Sequence, residues 1–223
     1  MPNTTLQERL LELPLFQGMS KGDLAQVAST TKFVNIAVVK GKTVVDEGEA
    51  CDRLLFLVKG TIHATARADD NGYSITETFQ APEILQPERI FGLTQRYTRS
   101  FKAATDCNFI SLSKMETLAL ADKYEIFRLN ILNIICTRSQ RLTRFPWRTQ
   151  PKDIHHKIAR FVETRCLRPA GEKMVHIKME RLAAEIGESR LNVSRELNGM
   201  AARNAISLRR GEIHIFALEK LIM

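Results

Sequence analysis

Between Lys178 and Arg210 the chain carries side chains that can read a nucleic-acid surface. Arg190, Asn192, Ser194 and Arg195 fall close together, with Asn198 one turn further on, Lys178 upstream and the Arg209-Arg210 pair downstream. A guanidinium is a planar fork of donors that matches the two acceptors on the edge of guanine, and an Asn amide does the same for adenine. Serines and lysines near helix ends typically hold phosphates and set register. The chemistry available here is therefore recognition of a polyanion.

Such groups work only if something rigid presents them. Leu182 and Ile186 mark the buried face of a short helix, and Ala183 and Ala184 are small enough to let a second helix cross closely. Gly187 permits a tight turn, and Ser189 can N-cap a following helix whose inward face is Val193, Leu197 and Met200. Leu191, Ser194, Arg195 and Asn198 then project outward, while Arg190 and Asn192 sit in the first turn. Two short helices joined this way predict a helix-turn-helix, whose second helix enters the major groove of double-stranded DNA. The run Ile206–Ile215 alternates on either side of Arg209-Arg210-Gly211, the pattern of a basic wing lying along the backbone.

Charge supports the same division. Residues 1–120 carry 13 Lys+Arg against 14 Asp+Glu, residues 121–150 carry 6 against 2, and residues 151–223 carry 14 against 9. The surplus behind the net charge of +8 lies wholly in the second half, which points to one part that meets a polyanion and one with another task. A hydrophobic content of 44% with 26% charged residues is that of a folded globular chain. No run approaches the ~20 apolar residues of a membrane span, and Met1–Leu10 lacks the features of a signal peptide. A cytoplasmic protein without a membrane partner is expected.

The first half reads differently. Residues from Thr4 to Gly18 suggest a short helix, and Ser20 caps a second through Leu24 and Val27. From Thr31 to Ser113 short β-rich runs alternate with turns, at Lys32–Lys40, Thr43–Asp46, Arg53–Val58, Thr61–Arg67, Ser74–Gln80, Phe101–Ala104 and Cys107–Leu112. Asp70-Asn71-Gly72 predicts a type I′ hairpin turn. Gly48, Gly60 and Gly72 recur every 12 residues, as successive hairpins of a rolled sheet would require. The fold class is α+β: an N-terminal antiparallel β-roll or jelly-roll barrel, a long helix, and a C-terminal winged helix-turn-helix.

Residues 114–144 predict one continuous helix with an apolar stripe too wide for a single partner. One face suits the barrel and the other the same helix of a second subunit, giving a homodimer. Phe145-Pro146-Trp147 ends it, and Pro151 opens the next helix. The expected domains are a β-roll effector-sensing domain at 1–113, a dimerisation helix at 114–144, a hinge at 145–150 and a DNA-binding domain at 151–223. A strand is expected over Lys173–Lys178.

This order resembles the cyclic-AMP receptor protein and fumarate–nitrate regulator (Crp/Fnr) superfamily of bacterial transcription regulators. The resemblance runs from about Leu15 to Leu221. It is firmest at Ile186-Gly187-Glu188-Ser189-Arg190 and Val193-Ser194-Arg195-Glu196-Leu197, with a second match at Val45-Asp46-Glu47-Gly48-Glu49 and Leu54–Gly60. It implies Ser189, Arg190 and Arg195 as principal DNA contacts, a pseudo-palindromic operator, and RNA polymerase and a small-molecule effector as further partners. Many members carry a Glu after the first recognition Arg where this chain has Leu191, which implies a different base preference with contact to a thymine methyl.

Members that bind cyclic nucleotides carry a Gly-Glu pair and then an Arg-Ser/Thr pair for the cyclic phosphate. Alignment on Ala103–Leu112 puts Gln86-Pro87 and Tyr97-Thr98 there. Arg96 and Arg99 flank the displaced position, and Arg99-Ser100 restores the pair only after a two-residue shift. A phosphate buried without a cationic donor is costly, so cyclic-AMP control is not expected, no cofactor is assigned, and the effector, if any, is unidentified. Four scattered cysteines and five histidines offer no close metal-ligand spacing; nothing favours His63, Cys51 or Cys107 as a haem ligand. No phosphate loop, nucleophile elbow or paired carboxylates mark an enzyme. The alternative reading is a ligand-binding regulatory module whose C-terminal domain docks a protein partner.

Overall fold

The computed structural model describes residues 6–222, so Thr4 and Thr5 of the expected first helix lie outside the described residues. The chain divides into two compact units, one of residues up to 62 with 79–141, the other of 63–78 with 142 onward.

In the first unit, α1 (Leu6–Glu12), a 3-10 turn (Pro14–Phe16) and α2 (Lys21–Thr30) precede the sheet. Ser20 caps α2, its Oγ accepting the Asp23 N–H at 3.0 Å. The strands are β1 (Phe33–Val38), β2 (Thr43–Val45), β3 (Arg53–Lys59), the start of β4 (Thr61–Arg67), the end of β5 (Tyr73–Gln80), the two-residue β6 (Glu83–Ile84), β7 (Ser100–Ala103) and β8 (Cys107–Ser113). One sheet runs β1-β8-β3-β6, with Phe33 opposite Leu112 and Phe56 opposite Ile110, while β2 pairs with β7. Alternating apolar residues fill the interior: Phe16, Phe56 and Phe127 are fully buried, with the Phe16 and Phe127 rings 5.1 Å apart.

One turn expectation is corrected. The hairpin at 70–72 forms, but its turn is not type I′: only Asn71 is left-handed, at φ +56°, and Gly72 is not. The Ala68 N–H donates to the Tyr73 carbonyl at 3.0 Å, so the loop spans Asp69–Gly72, and Asp70 Oδ1 accepts the Gly72 N–H at 2.9 Å. Gly60 does need its residue type, since at φ +103° a Cβ would come within 2.6 Å of the Asp106 carbonyl.

Residues 114–144 form two helices, α3 (Lys114–Lys123) and α4 (Glu125–Arg144), broken at Tyr124, whose backbone is extended (φ −117°, ψ 108°). The apolar period runs through the break, which hides it in the sequence. Burial of the Tyr124 ring, with its hydroxyl donating to Gln26 Oε1 at 3.1 Å, accompanies the change of direction. Phe127 and Ile131 face the core, while Ile126, Leu129, Leu132 and Leu142 are exposed. A 3-10 turn at Phe145–Trp147 follows directly.

In the second unit, α5 (Ile154–Glu163) starts three residues later than Pro151. Asp153 is the N-cap, its carboxylate accepting the His156 N–H at 2.9 Å, and that interaction sets the start. Then come β9 (Lys173–Ile177), α6 (Met179–Ile186), α7 (Arg190–Ala202), β10 (Ile206–Arg209), β11 (Glu212–Ile215) and α8 (Leu218–Ile222). β10 pairs with β11, β11 with β9, and β9 with β5. The hairpin 63–78, assigned by sequence to the sensing domain, thus contributes a strand to this unit. Ile75 lies in the same apolar core as Ile158, Leu182, Val193, Leu197 and Ile213.

Candidate nucleic-acid interface

The turn between α6 and α7 is made by local chemistry. Gly187 adopts φ +66°, and nothing lies within 4 Å of a Cβ built on it, so the backbone angle rather than crowding requires glycine. The Glu188 N–H donates to the Ala183 carbonyl (3.0 Å) and the Gly187 N–H to that of Ala184 (3.3 Å), closing the helix end. Ser189 then caps α7, its Oγ accepting the Asn192 N–H at 3.2 Å. Val193, Leu197 and Met200 are completely buried, as the spacing predicts, and Leu182 and Ala183 meet them. Ala184, expected at the helix crossing, is exposed instead, and Ile186 is half-buried.

The outward face carries the expected residues. Ser189, Arg190, Leu191, Arg195 and Asn198 are exposed, while Asn192 and Ser194 are half-buried. Leu191 is 67% accessible. Arg190 Nε lies 3.2 Å from Glu180 Oε1, but both side chains are more than 60% accessible, so the pair is readily exchanged for another anion. Lys178 is the exposed N-cap residue of α6. In the wing, Arg209 faces Glu212 across the strands, the two-residue loop Arg210-Gly211 closes the hairpin, and both arginines are exposed. None of the Arg195, Arg209, Arg210 and Lys178 side chains has an ion-pair partner among the described residues.

Sequence reasoning assigned no role to the residues that anchor this face. Lys157 of α5 forms an ion pair with Glu188 in the turn. Arg181 of α6 reaches Glu185 and Asp70 at 2.8 Å each. Glu77 and Lys173 form a buried pair at 3.2 Å. A signal existed for that pair: in β5 and β9 alternate residues point inward, and these two fall on the inward positions.

In the first unit, the structure brings Gln86 and Thr98, two of the six residues expected around an effector, into direct contact. Gln86, left-handed at φ +38° and buried, donates from Nε2 to Thr98 Oγ1 at 2.6 Å and accepts the Thr98 N–H on Oε1 at 3.0 Å. The two groups that a ligand would need are thus bonded to each other. Tyr97 points into the core against Phe101, with ring centroids 6.2 Å apart, and burial pushes its hydroxyl pKa far up. Burial likewise raises the Cys51 thiol. Arg96 is exposed and donates to the Gly48 carbonyl at 2.7 Å, Arg99 is buried, and Ser100 Oγ accepts the Glu47 N–H at 3.0 Å. His63 bonds Thr78 in the second unit, whereas Cys51 and Cys107 belong to the first. Among the described residues no three His, Cys, Asp or Glu side chains are grouped to hold a metal ion, and no helix is long and apolar enough to cross a membrane.

Residues 36–124 match the model of the cyclic nucleotide-binding domain family. Among solved structures it is similar to the catabolite activator protein of Thermus thermophilus, at 19% identity and TM-score 0.50 over 94% of this chain and 98% of that one. It is also similar to the sensor domain of the transcriptional regulator DNR from Pseudomonas aeruginosa, at 18% identity and TM-score 0.52, covering 66% of this chain and 95% of the other. The N-terminal domain of a Streptomyces coelicolor A3(2) transcriptional regulator gives 16% identity and TM-score 0.50, covering 65% and 98%. No curated protein matches the sequence. The likeness to the solved structures is one of fold.

Proposed function

We propose that this chain is a sequence-specific, DNA-binding transcription regulator of the Crp/Fnr type. In this reading it acts in the cytoplasm as a homodimer on a pseudo-palindromic operator. The observation that carries it is the outward face of α7 and the wing. There Ser189, Arg190, Leu191, Arg195, Arg209 and Arg210 are all exposed on a unit whose apolar core is closed behind them. Each α7 enters one major groove, with half-sites about one helical turn (~34 Å) apart. Arg190 and Arg195 supply forked donors to base edges, Leu191 meets a thymine methyl, and Lys178, Arg209 and Arg210 hold phosphates. The exposed row Ile126, Leu129 and Leu132 on α4 supports a second copy of the chain as its partner.

Cyclic-AMP control is not part of this reading, because Gln86 and Thr98 satisfy each other and Tyr97 replaces the cationic donor. Selection of bound duplexes from a random library, followed by gel shift of the enriched site, tests the proposal. A palindromic site whose affinity falls steeply with salt supports it. Absence of any enriched duplex, with retention of an acidic protein partner on the immobilised chain, would favour the protein-docking alternative.

A further inference from the structure

The winged helix-turn-helix is held by a strand that does not belong to its own stretch of sequence. Tyr73 to Glu77 of β5 pair antiparallel with Ile177 to Lys173 of β9, on the side of β9 away from the β10–β11 hairpin. The attachment is built in depth. Glu77 is fully inaccessible; its carboxylate accepts the N–H groups of Leu167 (2.6 Å) and Arg168 (3.1 Å) and faces Lys173 Nζ, itself 1% exposed, at 3.2 Å. Ile75 sits in the core of the winged helix. The Tyr73 hydroxyl accepts from Arg165 Nε at 2.8 Å, and the Tyr73 ring lies 5.3 Å from that of Phe161.

Register then decides where the hairpin tip lies. Tyr73 stands opposite Ile177, whose N–H donates to the carbonyl of Gly211 in the wing loop at 3.0 Å, and the next residue is the exposed Lys178. Asp69-Asp70-Asn71-Gly72 therefore projects at the same end of the sheet as the wing loop. All four are exposed, and Asp70 pairs with Arg181 of α6 at 2.8 Å. The N–H of Gly72, with help from Arg181, holds the Asp70 carboxyl below the usual carboxylate range, so this tip is anionic at neutral pH. A pair of carboxylates at that end opposes phosphates approaching Lys178, Arg209 and Arg210.

We infer that the 63–78 hairpin is an autoinhibitory clasp. It docks as an added strand on β9, presents Asp69 and Asp70 where a DNA backbone would lie, and must withdraw for full binding. The inference rests on the DNA-binding reading of α7 and the wing. It goes beyond that reading by making the 63–78 hairpin a competitor of the duplex.

The test uses the full chain with a 40-base-pair random-sequence duplex and the same duplex carrying the site enriched by selection, at ~0.1 M salt. D69N/D70N should tighten both by about five- to tenfold, the scale expected for removing two charges within about a Debye length of the phosphates. Because any lost carboxylate helps a polyanion bind, a charge-independent arm is needed. Ser74 and His176 lie opposite each other in register. In a Cys136→Ser background, S74C/H176C oxidised to a disulfide should bind at least about tenfold more weakly than its own reduced form. Amide exchange of β5 and β9 should also quicken when duplex is added to the wild type. Equal affinity of the oxidised and reduced forms, with unchanged exchange, overturns the clasp while leaving DNA binding intact. If no form binds any duplex, the DNA reading fails and takes the clasp with it.

Discussion

Glu77 and Lys173 meet at 3.2 Å with neither side chain more than 1% accessible, joining β5 to β9 inside the second unit. Burying two charges is repaid only when every lone pair and proton finds a partner. Here Glu77 takes two backbone N–H groups, and Lys173 Nζ donates to the Ala170 carbonyl at 2.7 Å. Lys173→Met should therefore destabilise the protein by about 3–5 kcal/mol, because it strands a buried carboxylate. The double change with Glu77→Gln should recover much of that. Urea unfolding of the three proteins decides it, and additive losses would contradict the pairing.

Recognition should separate by residue. Arg195→Ala should cost about 1–3 kcal/mol of discrimination at one base pair of each half-site. Arg210→Ala should weaken all duplexes alike and flatten the salt dependence by about one phosphate contact per subunit. Competition binding against single-base variants of the selected site, repeated at several salt concentrations, measures both.

The exposed row on α4 predicts the oligomeric state. Leu129→Glu with Leu132→Glu places charges on side chains that are 44% and 49% accessible in the single chain, so the fold should tolerate them. Sedimentation should show a dimer for the wild type and a monomer for the variant. A wild-type monomer would rule out α4 as a dimer interface.

The closed Gln86–Thr98 pair predicts that cyclic AMP leaves the unfolding midpoint unchanged. A ligand that bound the native state at a hundredfold excess over its Kd would add about 2.7 kcal/mol, an easily measured shift. Gln86→Ala should cost about 1–3 kcal/mol by leaving the Thr98 N–H without its acceptor.

Acid sensitivity should show at the start of α5. The His156 N–H bonded to Asp153 holds that carboxyl below its ordinary range. A depressed folded pKa gives stabilisation that is present above the unfolded value, near 4, and is lost as the pH falls through the folded value. Asp153→Ala should cost about 0.5–1 kcal/mol at pH 6 for this exposed cap, and the gap should close towards pH 3. Denaturant midpoints of both proteins across that range test the sign.

What could be read along the chain was what local chemistry decides. The apolar spacing of Leu182, Val193, Leu197 and Met200, the left-handed Gly187 and the capping Ser189 act over a few residues, so α6, its turn and α7 were legible together with their outward arginines. Most strands of the roll were legible for the same reason, because alternation is a short-range pattern. Tertiary structure decided the rest. The apolar period passes through Tyr124 without a mark, and the break there accompanies burial of its ring. Gln86 and Thr98 could be read only as replacements in a cassette that lacks its cationic donor, and it is the fold that turns their amide and hydroxyl towards each other. Glu77 and Lys173 each stood as an inward charge in an otherwise ordinary strand, and a residue's own neighbours cannot say which distant strand brings the opposite charge. Pairing β5 with β9 is a non-local event set by core burial of Ile75 and by register, and no local periodicity encodes it.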